Sequence, residues 1–125
     1  AWLKERSPLP LFGDELYQDA SDATRCAECV HGVNVKLVKT GGVTRGKHAL
    51  EAARAQGLKT MLGCMIESSV LITAAAHLAP LTDWLDLDGN VLINNDPYQG
   101  VRNCSGRLSF SDVPVKTGLR VCPVA

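Results

Sequence analysis

The sequence predicts an α/β fold with parallel strands, built as part of a (β/α) barrel. Up to Asn90, short apolar runs alternate with helix-like segments in the order β-α-β-α-β-α-β. The polar residues Asp14, Lys36, Glu67, Asp86 and Asp88 fall in or just beyond the C-terminal parts of the predicted strands. Barrel enzymes place their chemistry there. No Gly-rich phosphate loop follows any strand, which weakens the competing reading of a nucleotide-binding, doubly wound sheet.

The elements follow in order. Residues 9 to 14, "LPLFGD", read as a short strand. Residues 20 to 31 are helix-like, and Gly32 ends them. Residues 33 to 38, "VNVKLV", form the second strand, with Val33, Val35 and Leu37 on one face and Asn34 and Lys36 on the other. Lys39 continues the apolar face, but it falls where the run gives way to Gly41 and Gly42, and it is expected to be a solvated loop lysine. Thr44 is a plausible N-cap for "RGKHALEAARAQ", which Gly57 terminates. "KTMLGCM" is strand-like. Ser68 or Ser69 can cap "VLITAAAHLA", which Pro80 stops. "WLDLDG" is one more short strand, with Leu85 and Leu87 on one face and Trp84, Asp86 and Asp88 on the other. Beyond Asn90 the chain turns to "NNDPYQG" and then to short strands and loops without a further helix.

Bulk composition excludes several function classes. The chain has 125 residues, 46% hydrophobic, and a formal net charge of zero. Charge balance gives no electrostatic case for nucleic acid or an anionic membrane surface. No stretch approaches the roughly 18 apolar residues of a membrane span. Cys26, Cys29, Cys64, Cys104 and Cys122 are odd in number and irregular in spacing, which argues against a disulfide framework and for a reducing, cytoplasmic compartment. The start, "AWLKERSPLPLFGDE", carries no signal-peptide pattern, lacks an initiator Met and begins as if in mid-helix, so a fragment is expected. "CAEC" at Cys26 to Cys29 reads as part of a helix, because no second ligand pair at zinc spacing is present and the pair does not open a helix as a redox motif would. His31, His48 and His77 lie on or beside helices and read as surface or packing residues.

"LPLFGDE", "VNVKLVKTGG", "GCMIESS", "DLDG" and "DPYQG", in this order and spacing, resemble the C-terminal half of the enolase superfamily barrel. The closest resemblance is to the muconate-lactonizing subgroup, and within it to the dipeptide epimerases that act on L-Ala-D/L-Glu. It runs from Leu9 to about Gly118. It implies the C-terminal half of a (β/α)7β TIM-type barrel, strands five to eight, over residues 1–90. Residues 91–125 would be a C-terminal segment returning toward a capping domain that is absent here. It further implies that Asp14 is the third Mg²⁺ carboxylate, that Lys36 is the acid/base lysine, and that Cys64 meets the substrate. Asp86 and Asp88 would hold the substrate's α-ammonium. Glu67 is the acidic residue of its motif, or a cap or ion-pair partner of the next helix. Two departures stand out: Leu16 follows Glu15 where the family usually has Ser, and "KTGLRV" replaces the usual Pro-Gly-Leu-Gly near the tail.

The chemistry needs these residue types. Removing a proton α to a carboxylate builds a dianionic enediolate, and a divalent cation on the carboxylate oxygens offsets that charge. Mg²⁺ takes oxygen ligands. A lysine acts as base only without its proton, and burial beside a cation is expected to lower its pKa. Two carboxylates on one strand face repel each other, and a bound ammonium relieves the repulsion. By themselves Asp86 and Asp88 are also ordinary turn residues before Gly89, and Asp14 an ordinary turn or cap residue. The resemblance therefore implies a fragment of a Mg²⁺-dependent isomerase acting on a small dipeptide. The alternatives are a muconate cycloisomerase or o-succinylbenzoate synthase of the same superfamily, or a non-catalytic half-barrel. The expected partner is the missing N-terminal half with its cap, or a second copy of the chain.

Overall fold

The computed structural model describes residues 1–124. Its centre is a four-stranded parallel sheet in sequence order: β1 (Phe12–Gly13), β2 (Gly32–Lys36), β3 (Lys59–Gly63) and β4 (Trp84–Leu85). The crossovers carry α2 (Ala23–Cys29) between β1 and β2, then α3 (Leu37–Thr40) and α4 (Val43–Ala55), then α5 (Ser69–Ala76). A short helix α1 (Trp2–Arg6) precedes them. The expected β/α alternation is present. β1 is shorter than the predicted strand because Pro8 and Pro10 remove donors before it, leaving the carbonyl of Leu11 to accept from His31 and Gly32.

Period-two alternation sorts the sheet's two faces. Val33, Val35 and Leu62 are fully buried toward the helices. Helix α4 meets them with Gly46, Ala49, Leu50 and Ala53, an i, i+3, i+4, i+7 spacing that keeps one stripe on the sheet. The opposite face holds Phe12, Asn34, Lys36, Met61 and Trp84. In a flat sheet, strands at positions one and four stand about 14 Å apart. Yet the rings of Phe12 on β1 and Trp84 on β4 meet edge to face with centroids 5.3 Å apart. The sheet curls, and these side chains point into the curl, as a barrel wall requires. Gly32 makes the approach possible, since a Cβ there would stand 2.5 Å from the Phe12 ring.

Two local expectations fail. The strand predicted over 33–38 ends at Lys36, and Leu37–Thr40 turns into helix. Gly41, at φ 82°, and Gly42 close that turn by donating to the carbonyl of Leu37. The N-cap of α4 is then Gly42 and not Thr44, which lies inside the helix.

Capping of α5 also differs. Ser68 is the N-cap residue but makes no side-chain cap. The N–H of Ser69 donates instead to the carboxylate of Asp96, at 2.6 Å and 27 positions along the chain. The segment beyond Asn90 forms a hairpin of β6 (Arg102–Cys104) with β7 (Arg107–Ser109), and β5 (Tyr98–Gln99) pairs antiparallel with β8 (Cys122–Pro123). It packs on α5 through the N–H of Val101, which donates to Thr73, and through His77 against Phe110.

The Asp96 tie is pH-sensitive. Burial works against the Asp96 carboxylate, but the Ser69 and Tyr98 donors outweigh it and hold the carboxyl below its usual range. The folded pKa is depressed, so the stabilisation is present above the unfolded pKa and is lost as pH falls through the folded value. Asp96→Asn should leave a urea midpoint less sensitive to acid between about pH 5 and about pH 2. Superimposable acid profiles for the two proteins would contradict this.

Candidate active site at the strand ends

Each strand of the sheet delivers a polar residue at its C-terminal end. Asp14 follows β1, Lys36 ends β2, Cys64 follows β3 and Asp86 follows β4. Parallel register aligns them. Lys36 pairs with Gly63, so Cys64 stands one residue beyond it, and the N–H of Asp86 still donates to Leu62 at 3.0 Å past the last paired residue of β4.

Asp14 and Lys36 are in contact. The Lys36 ammonium lies 3.0 Å from Oδ2 of Asp14 and 3.9 Å from a carboxylate oxygen of Glu15. The Lys36 side chain is 11% exposed, against 36% for Asp14. Asn34, on the same face of β2, donates through Nδ2 to the same Oδ2 at 3.2 Å. Lys39 is not the solvated residue expected. Because the chain turns into helix after Lys36, Lys39 is carried back over β1. Its ammonium bonds Oδ1 of Asp14 and, at 2.7 Å, the Asp14 backbone carbonyl. Sequence periodicity missed it, since a two-residue repeat was extended across a helical turn. The Gly41–Gly42 pair was the available signal for that turn.

Charge sets the protonation states. Burial penalises the Asp14 carboxylate, yet hydrogen bonds and charge from Lys39 and Lys36 outweigh it and hold the carboxyl below its usual range. Burial likewise favours the neutral amine of Lys36, but Asp14 and Glu15 hold its ammonium above the usual lysine range. The expected lowering of Lys36 depends on a cation beside it, and its neighbour on this chain is a carboxylate.

Cys64 is half-buried, and burial pushes its thiol up while the N–H groups of Gly89 and Asp88 pull the other way. A protonated thiol is a poor nucleophile, in keeping with a lining role. Among the described residues Glu67 makes no ion pair, and it does not cap α5; it accepts from the N–H of Met65 at 3.0 Å. Burial pushes its carboxyl up, against that N–H and the charge of Lys36. Asp86 and Asp88 are exposed. A small cleft of about 180 Å³ separates their segment from Asn103, Gly106 and Leu108 of the β6–β7 hairpin. No hydrogen bond joins either carboxylate to Lys36 or Asp14. A larger cleft, about 430 Å³, is lined by Ser69, Asn90, Asp96 and Arg102 among others, between the segments that follow β3 and β4 and the C-terminal segment.

Asp14 is a hard oxygen donor and fits a hard cation as one ligand. Among the described residues no three His, Cys, Asp or Glu side chains come together to hold an ion.

The profile of the family described as "Enolase C-terminal domain-like" matches residues 1–117. The chain belongs to that family. Within it, the chain is 65% identical over 121 residues to an L-Ala-D/L-amino acid epimerase of Pedosphaera parvula, covering 97% of this chain and 35% of that protein. It is 40% identical over 114 residues to an L-Ala-D/L-Glu epimerase of Bacteroides thetaiotaomicron, covering 91% of this chain and 30% of that one. Among solved structures it superimposes, with a TM-score of 0.86 and 27% identity, on a substrate-liganded L-Ala-D/L-Glu epimerase of Bacillus subtilis, covering 98% of this chain and 35% of that one. The chain thus spans about a third of the length of the relatives it matches. In this enolase-type domain the four strands are the C-terminal half of a TIM-type barrel, and the curl that brings Phe12 to Trp84 is part of its wall. No helix among the described residues is long and apolar enough to cross a membrane.

Proposed function

We propose that the chain is the C-terminal part of a cytoplasmic, Mg²⁺-dependent dipeptide epimerase of the L-Ala-D/L-Glu type. Residues 1–90 supply strands five to eight, and residues 91–125 return toward a capping domain. The observation that carries this reading is the Asp14–Lys36 pair at adjoining strand ends, on a scaffold 65% identical to an epimerase. Lys36 is the group that removes or returns the α-proton on one face of the substrate carbon. It approaches from inside the curl, where the Met65 sulfur lies 3.9 Å from its nitrogen. Inversion needs a second base on the opposite face, supplied from outside this chain. Asp14, with carboxylates beyond this chain, would hold the Mg²⁺, whose charge supports the developing negative charge on the substrate carboxylate. With a cation held by Asp14, Lys36 would lose part of the negative charge that keeps it protonated, Glu15 remaining beside it.

Asp86 and Asp88 would take the substrate's free α-ammonium. A charge-assisted hydrogen bond is worth roughly 1.5–3 kcal/mol. In the full-length parent, the double change Asp86→Asn and Asp88→Asn should therefore weaken L-Ala-L-Glu binding by about 10- to 150-fold. Binding of the N-acetylated dipeptide should change little. Inhibition constants for the two ligands measure this. Equal losses would show that the pair does not read an ammonium, and would favour a substrate without one, such as that of a cycloisomerase.

A further inference from the structure

We propose that Lys39 is a positioning residue for this site. Its ammonium clamps both the carboxylate and the backbone carbonyl of Asp14, fixing the face that Asp14 turns to the barrel mouth and to Lys36. The inference rests on the reading of Asp14 and Lys36 above.

Three features carry it. The first is the geometry of the clamp. Lys39 bonds a side-chain oxygen and the main-chain oxygen of one residue, which fixes the side chain of Asp14 relative to its own backbone. The second is the division of the carboxylate. Oδ1 belongs to Lys39, while Oδ2 receives Lys36 and Nδ2 of Asn34. Asn34 is itself buried, and Gly63 leaves it room, since a Cβ there would stand 2.6 Å from its Oδ1. The carboxylate plane is therefore held from both sides. The third is charge. Lys39 has an 11% exposed side chain, although lysines normally sit in water. Lys36 is shared between Asp14 and Glu15, whereas Lys39 has Asp14 as its one carboxylate partner among the described residues, so the Lys39 ammonium is committed to Asp14. The α3 turn, closed by Gly41 and Gly42, carries Lys39 there.

The test uses the full-length parent and its Lys39→Met, Lys39→Arg and Asp14→Asn variants. Mn²⁺ affinity is measured by calorimetry, and kcat and KM on L-Ala-L-Glu by circular dichroism. Lys39→Gln replaces Lys39→Met if the latter fails to fold. In Lys39→Met, Mn²⁺ binding should weaken about tenfold and kcat should fall by a similar factor, with KM within about threefold, as expected for a lost charge-assisted clamp. Lys39→Arg should recover both to within about threefold. Mn²⁺ binding as tight as, or tighter than, wild type in Lys39→Met would overturn the proposal, because removing a mere nearby charge does that. Failure of Lys39→Arg to recover would overturn it as well. If wild type does not epimerise dipeptides, or Asp14→Asn leaves Mn²⁺ affinity unchanged, the enzymatic reading falls. The crystal structure of Lys39→Met then decides the clamp. An Asp14 side chain that keeps its orientation overturns it, and one that swings away supports it.

Discussion

Replacing Lys36 by Met in the full-length parent should lower epimerisation by about 10²- to 10⁴-fold, the range a positioned acid/base group contributes. The side chain that replaces it has similar length and apolar stem, so the curl of the sheet should keep its packing. Mg²⁺ affinity should stay within about threefold, because the lysine handles the proton and not the metal. The Asp14 carboxylate would still have Lys39 and Asn34 beside it. Circular dichroism of L-Ala-L-Glu conversion, with a parallel metal titration, measures both. Normal turnover in Lys36→Met would remove the residue from the mechanism.

The 125-residue chain by itself should be inactive and should bind Mg²⁺ weakly. Asp14 is one carboxylate, and a cation that prefers near-octahedral oxygen coordination gains little from one ligand in water. Only one proton-transfer lysine is placed on this chain, so a two-base inversion has no second partner. Water also reaches the strand ends, where it screens the charges that the chemistry needs. The sheet has unpaired edges at β1 and β4. Trp84 and Leu85 on the β4 edge are exposed. Open edges with apolar side chains favour pairing with another chain. Sedimentation should therefore show dimers or larger species. A monodisperse, monomeric chain with enzyme-like turnover would contradict both expectations, and a self-associated chain whose turnover is lost in Lys36→Met would mean that a second copy completes the site.

Much of the fold is legible in the sequence. The β/α alternation follows from short apolar runs separated by capped helical repeats, which depend on local sequence alone. The strand-end placement of Asp14 and Lys36 follows from counting along those runs. Their mutual contact does not, because it depends on β1 and β2 lying side by side. Lys39 was misplaced by one local error. Alternation from Val33 to Leu37 reads as one strand, while the glycines after Thr40 impose a helical turn that sends Lys39 to Asp14. The Asp96 tie to α5 spans 27 positions, and no local pattern encodes it. The protonation of Lys36 is set by which charge stands beside it. The expected lowering needs a cation there, whereas the nearest charge on this chain is a carboxylate.

The strand-end site is read as one that exchanges the proton α to a dipeptide's carboxylate, with Lys36 carrying it. Proton NMR of L-Ala-L-Glu in deuterated water, with the full-length parent and Mg²⁺, tests this most directly. The account predicts loss of the Glu α-proton signal together with appearance of the L-Ala-D-Glu isomer, and neither in Lys36→Met. A full Glu α-proton signal after prolonged incubation with folded, Mg²⁺-loaded parent would contradict it, and so would unchanged exchange in Lys36→Met.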